Sequence, residues 1–299
     1  MGLSIAAIQN TLEMYNLGYF KNSSSVFEMG SQELHLKKND LKELFEYACL
    51  KSDLVDSYPN NNFPEQPRTP AKYFYQSLGF KEYQCMDLNG EHGAIKHDYN
   101  LPYEDKNKFN KFDLVTDHGA CEHAFNIAEC YKTMHNLTKP GGFIVVDQIF
   151  LDGNGYFLFD KSFFEGIAAA NNYKIIFTSS VITTGTKTKN GSNHQFHIPL
   201  TKSLFKSLDL TKISNVGSYG VFQKQDNEKF QFPYQRMRSH ERKYMDKTYN
   251  YPGFNRLYFK DPMGYSYIPS ATITKTIEES SFKILVREFF KRLLKKILK

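Results

Sequence analysis

Short apolar runs alternate along this chain with stretches in which apolar residues recur every three or four positions, which predicts strands and helices in turn. The pattern is clearest between Lys111 and Asp147. Residues 112–116 (FDLVT) form an apolar run ending in Asp117, His118 and Gly119, the signature of a buried strand that delivers its carboxyl end to a ligand crevice. Residues 124–137 then place Phe125, Ala128, Tyr131, Met134 and Leu137 at helical spacing. Residues 138–142, with Pro140 and two glycines, stop that helix and turn the chain. Residues 143–146 (FIVV) are a second β-forming run, so the unit is a strand-helix-strand crossover of a parallel sheet.

The same reading extends in both directions. Residues 5–15 form an amphipathic helix with Ser4 as its cap, and residues 25–30 a first strand running into a loop. Residues 40–50 are helical, 53–70 are a proline-rich loop or lid, and 71–78 form a short helix ending at Gly79. Residues 83–88 are a second strand and 94–97 a third. Beyond Asp147 come a helix over 160–171, a strand over 173–180, a polar and exposed excursion over 181–197, and a last strand over 218–223. Strands alternating with helices make this α/β, with a mostly parallel sheet flanked by helices.

Composition changes the picture in one place. The chain has 299 residues, 40% hydrophobic and 23% charged, as expected of a folded globular protein, and its 26 Phe and 20 Tyr supply large core and pocket surfaces. The net charge of +6 points toward nucleic acid until it is located. Residues 282–299 hold five Lys and two Arg against one Glu, which accounts for all of it, so the body carries no polyanion-binding surplus. In that tail Phe282, Leu285, Val286, Phe289, Phe290, Leu293 and Ile297 share one helical face, and most of the basic residues take the other. A basic amphipathic helix of this kind suits peripheral contact with an anionic membrane, docking on the body, or a second copy of the chain. No apolar run is long enough to span a bilayer and the first residues lack a secretory pattern, so a cytoplasmic location is expected, with peripheral contact at the inner membrane face through the tail. Cys49, Cys85, Cys121 and Cys130 lack paired spacing and fit reduced thiols. His118, Glu122 and His123 are spaced one residue too long for an H-x-x-E-H zinc site, and no metal is expected.

The FDLV run, the segment Gly119-Ala-Cys-Glu-His-Ala-Phe-Asn126 and the Leu137-Thr-Lys-Pro-Gly-Gly142 turn resemble the fourth and fifth strands of class I S-adenosylmethionine-dependent methyltransferases. The resemblance covers about residues 26–224. It implies a Rossmann-like seven-stranded sheet in a domain over 1–225, followed by an aromatic-rich extension over 226–280 and the tail helix over 281–299. It also implies S-adenosylmethionine as cofactor. A single glycine, Gly30, follows the first strand before Ser31, whereas a dinucleotide loop needs G-x-G-x-x-G, so nicotinamide and flavin cofactors are disfavoured.

On this resemblance Glu28 and Gly30, an acid two residues before a glycine, match the first motif, with Ser31 beside them. Asp87 ends the second strand, where an acidic side chain accepts the hydroxyls of a ribose. Asp98 matches the position that contacts the adenine amino group. Asp117 and Gly119 fall at the methionine end of the cofactor. His123, His118 and Asp117 are the candidates for general base, and residues 153–157 for acceptor contacts. The bland reading of each is a cap, turn or core contact. The expected activity is methyl transfer to a small-molecule or carbohydrate-like acceptor, with surface-glycan assembly as its setting and no nucleic acid partner. The alternative is a noncatalytic module that binds the cofactor or acts as a scaffold through its tail.

Overall fold

A computed structural model describes residues 2–59, 63–151, 154–198 and 212–233. The tail helix over 281–299 and the extension beyond residue 233 lie outside them.

The described chain runs β1 (Gly2–Leu3), α1 (Ile5–Asn16), β2 (Ser25–Met29), β3 (Glu33–Leu34), α2 (Lys38–Tyr47), α3 (Lys72–Ser77), β4 (Glu82–Met86), β5 (Phe112–His118), α4 (Ile127–Leu137), β6 (Thr138–Leu151), α5 (Lys161–Ala170), β7 (Tyr173–Lys187), β8 (Asn193–Ile198) and β9 (Ile213–Lys224). Seven strands form one sheet in the order β4-β2-β5-β6-β9-β7-β8, and β1 pairs with β3 in a separate two-stranded sheet. The pairs β4-β2, β2-β5 and β5-β6 are parallel, while β9 runs antiparallel to both β6 and β7. The sheet is therefore mixed and Rossmann-like, with helices on both faces.

Strand alternation decides what each face buries. Val26, Leu114, Phe143, Val145, Val181 and Tyr219 pack against α1, α2 and α3, whereas Phe27, Val115, Ile144, Val146 and Phe222 pack against α4 and α5. Lys224 is fully buried at the far end of β9, its Nζ donating to Asn110 Oδ1, His135 O and Thr138 O at 2.8–2.9 Å. Among the described residues no helix is long and apolar enough to cross a membrane.

Four expectations are corrected. Residues 94–97 do not form a third strand; Ile95 makes a single parallel bridge to Met86, and the chain leaves the sheet edge at the Asp98 turn. Residues 181–197 are not an exposed excursion. They continue β7 and, after a turn, form β8, whose polar side chains are covered by α1: His197 contacts Ala6 O through Nε2 and Ser179 Oγ through Nδ1, and Gln195 accepts from Ala6 N. The seventh strand is thus β8, at the edge beside β7. Ser4 begins α1, but its hydroxyl makes no capping bond. Phe125 lies ahead of α4 and is 77% exposed, packed edge-on against Tyr156.

Candidate functional site

The carboxyl ends of β2, β4, β5 and β6 lie along one edge of the sheet. Met29 pairs with both Met86 and Asp117, and His118 pairs with Asp147. Gly30 follows β2 with φ +100°, a conformation that favours glycine. A Cβ there would stand 2.4 Å from Gln32 Nε2 and 3.1 Å from Ala120 Cβ, so the loops after β2 and β5 touch. Gly30 N donates to Met86 O, as does the hydroxyl of Tyr99.

Asp87, nearly buried, ties these loops together. Its Oδ2 accepts from Ser31 N at 3.0 Å and Ser31 Oγ at 3.2 Å, and its Oδ1 from Asn89 N at 3.2 Å. A carboxylate has about four acceptor positions, so Oδ1, with one bond, keeps capacity for a further donor such as a ribose hydroxyl. Asp87, Ser31 and Asn89 fit the sugar of an adenosyl group. Glu28 does not fit any part of it. Its side chain shares the α1 face with Val26, is fully buried, and accepts from Tyr83 Oη at 2.5 Å and Thr116 Oγ1 at 3.4 Å. Burial pushes its carboxyl up to about 7 against those donors. Asp98 stands apart from both, its Oδ1 closing its own turn with Asn100 N and Nδ2 at 2.9 Å, which lowers its pKa.

Asp117, also fully buried, organises the loop after β5. Its Oδ1 accepts from Ala120 N at 2.8 Å and Cys121 N at 3.2 Å, and its Oδ2 from Gln148 Nε2. Burial raises its pKa to about 6, opposed by these bonds. Asp117 is thus a positioning group beneath the loop that carries Gly119, Glu122 and His123.

Beside this loop a cavity of about 450 Å³ opens between the sheet edge and the segment Gly2–Ser4. His118, Gly119 and His123 line it; Glu28, Gly30, Ser31, Asp87, Asp98 and Asp117 do not. Its floor is a row across the sheet, His118 beside Asp147, then Gly217, Val181 and Thr183, with Gln195 opposite Thr183. His118 is 3% exposed with neither ring nitrogen hydrogen-bonded, and burial drives its pKa down to about 3. His123 is more open, its Nε2 3.8 Å from Glu122 Oε1, and burial lowers its pKa as well. Glu122 Oε2 accepts from Ile149 N at 2.7 Å. Burial raises Glu122 to about 7 and Asp147 to about 8, the latter raised further by Glu122 and Asp117. Asn154, from the turn expected to contact an acceptor, also lines the cavity.

Asp147 and His35 escaped the sequence reading. Asp147 follows an apolar run in the same way that Asp87 does, so the signal that picked Asp87 also marked it. His35 reaches the cavity through β3, which no periodicity predicts in two residues.

No family model and no curated protein matches the sequence. Solved structures align with it. One is the Burkholderia thailandensis 1,6-didemethyltoxoflavin-N1-methyltransferase with bound 1,6-didemethyltoxoflavin and S-adenosylhomocysteine, at 11% identity over 74% of this chain and 79% of that one, TM-score 0.37. Another is a SAM-dependent methyltransferase from Archaeoglobus fulgidus, at 10% identity over 73% and 93% of the two chains, TM-score 0.36. The seven-stranded mixed sheet with flanking helices is Rossmann-like, as the sequence resemblance implies.

Proposed function

We propose that this protein is an S-adenosylmethionine-dependent methyltransferase acting on a small polar acceptor, with the cofactor across the carboxyl ends of β2 and β4 and the acceptor in the adjoining cavity. The observation that carries the reading is the placement of Asp87, with Ser31 and Asn89, at the end of β4, one loop away from a polar cavity bordered by His118, Gly119, Glu122 and His123. Bound S-adenosylmethionine would supply a methyl group on a sulfonium, whose displacement depends chiefly on alignment and exclusion of water. His123, the more open of the two histidines, is the candidate to take a proton from the acceptor, whereas His118, pushed down to about 3, binds a proton too weakly for that role. The amide and hydroxyl side chains of Asn154, Thr183, Asn193, Gln195 and Ser214 suit a carbohydrate-like acceptor, as surface-glycan assembly would require.

A second reading is a noncatalytic module. It is favoured by the contact between the Gly30 and Ala120 loops and by the Ser31 bonds that already occupy Asp87 Oδ2.

Calorimetry with S-adenosylmethionine and S-adenosylhomocysteine separates a chain that binds the cofactor from a scaffold that does not, and methyl release from S-adenosylmethionine separates an enzyme from a noncatalytic cofactor-binding module. On the methyltransferase reading both bind, Asp87→Ala weakens them at least about tenfold, and Asp98→Ala by no more than about threefold. Absence of binding by the intact protein would favour the noncatalytic module.

A further inference from the structure

We propose that the cavity over β5, β6 and β7 binds a protonated amine, held between the carboxyl groups of Asp147 and Glu122. Asp147 accepts no hydrogen bond from any described residue. Glu122 uses Oε2 on Ile149 N, and its Oε1 has only His123 Nε2 at 3.8 Å. His118, almost wholly buried and lining the same space, has both ring nitrogens unpartnered. A buried polar ring without a partner costs about 1–3 kcal/mol unless something in the cavity bonds to it. Gly217 keeps the space over Asp147 open: a Cβ there would lie 3.3 Å from Asp147 Oδ1.

The lining favours a cation over other occupants. Among the described residues it holds two carboxyl groups and no Lys or Arg, and its three histidines, His35, His118 and His123, are all pushed toward the neutral form, first by burial, with the positive chain amino terminus adding to this at His35 and His123. Among the described lining residues Ile149 and Val181 are the only large apolar side chains and no aromatic carbocycle joins them, which gives an apolar ligand little to pack against. Among the described residues no three His, Cys, Asp or Glu side chains are grouped to hold a metal ion. An ammonium group supplies up to three donors, and its charge would draw Asp147 and Glu122, both raised by burial, into the ionised form with release of a proton to solvent. Passing one proton from the bound ammonium to Asp147 leaves a neutral amine and a carboxylic acid, with charge conserved. That this amine is the methyl acceptor rests on the methyltransferase reading; that the cavity takes an ammonium does not.

The test uses the full chain without cofactor and two matched probe pairs, glucosamine with glucose and ethanolamine with ethylene glycol. Binding is read from the imidazole resonances of His118 and by competition. The amine of each pair should bind at least about tenfold tighter than its hydroxyl partner and shift the His118 signals. Asp147→Asn, nearly isosteric, should reduce that preference to about threefold or less, and Glu122→Gln should reduce it as well, while S-adenosylhomocysteine affinity stays within about twofold. Equal binding of amine and hydroxyl partners, binding of neither at millimolar concentration, or an undiminished preference in both variants would overturn the proposal. Amine binding by a chain that ignores S-adenosylhomocysteine would uphold it and sink the methyltransferase reading alone.

Discussion

Asp117→Ala should lower the unfolding free energy by about 3 kcal/mol, whereas Asp117→Asn should cost no more than about 1 kcal/mol. The alanine leaves three buried donors without an acceptor: Ala120 N, Cys121 N and Gln148 Nε2. Asparagine keeps Oδ1 for the two backbone donors and turns an NH2 group toward Gln148. Gln148 answers by flipping its amide, since its own Oε1 is buried and unpartnered. The asparagine also carries no charge to bury, which matters for a carboxyl whose pKa already stands at about 6. Because Asp117 holds the turn that carries Glu122 and His123, only the alanine variant should disturb the cavity. Urea titration at pH 7 measures both values; equal losses in the two variants would show that the acceptor role assigned to Asp117 is wrong.

The stability of the protein relative to its Asp147→Asn variant should fall as pH rises from about 6.5 to about 8, by on the order of 1.5 kcal/mol. Asp147 at about 8, and Glu122 and Glu28 at about 7, are all raised above their ordinary values, chiefly by burial. In this window the folded chain retains protons that the unfolded chain has already released, so added base favours unfolding. The histidines lowered by burial, His35, His118, His123, His135, His194 and His197, act in the opposite sense, because the unfolded chain binds protons that the folded one refuses, and since free imidazole titrates near about 6.5 their effect extends into the lower part of this window. Lys224, lowered to about 8 by burial, opposes the carboxyl groups in the upper part. Both contributions are shared by the protein and the Asp147→Asn variant and cancel in the comparison. Thermal melts across the window check the sign. Parallel pH profiles for the protein and Asp147→Asn would contradict the burial assigned to Asp147.

The β5-α4-β6 unit was legible because its strands are buried on both faces and read as unbroken apolar runs, and because Pro140 and its glycines mark the turn. The strand β8 was not legible for the opposite reason. Two of its three buried side chains, His194 and His197, are polar, and their burial depends on bonds such as that from His197 to α1, a long-range partner that no local window contains. Residues 94–97 have strand-like composition, but too little of the chain stays beside β4 to build a ladder. Asp87 and His118 were proposed from strand ends, a rule about position, and the structure places both at the carboxyl ends of β4 and β5. Glu28 was misplaced because a motif match ignores parity: two residues after Val26 on the same strand, it shares the face that packs against the helices. Asp98 stands at the expected place in the chain, but its carboxylate is engaged by its own turn.

The most direct measurement of the central claim is a crystal structure of the full chain grown with S-adenosylhomocysteine. The account predicts its ribose hydroxyls on Asp87 Oδ1, with Ser31 released from one of its bonds to that carboxylate, and its sulfur directed toward His118 and Gly119. Binding elsewhere on the molecule, or an Asp87–Ser31 pair unchanged in crystals saturated with the ligand, would contradict it.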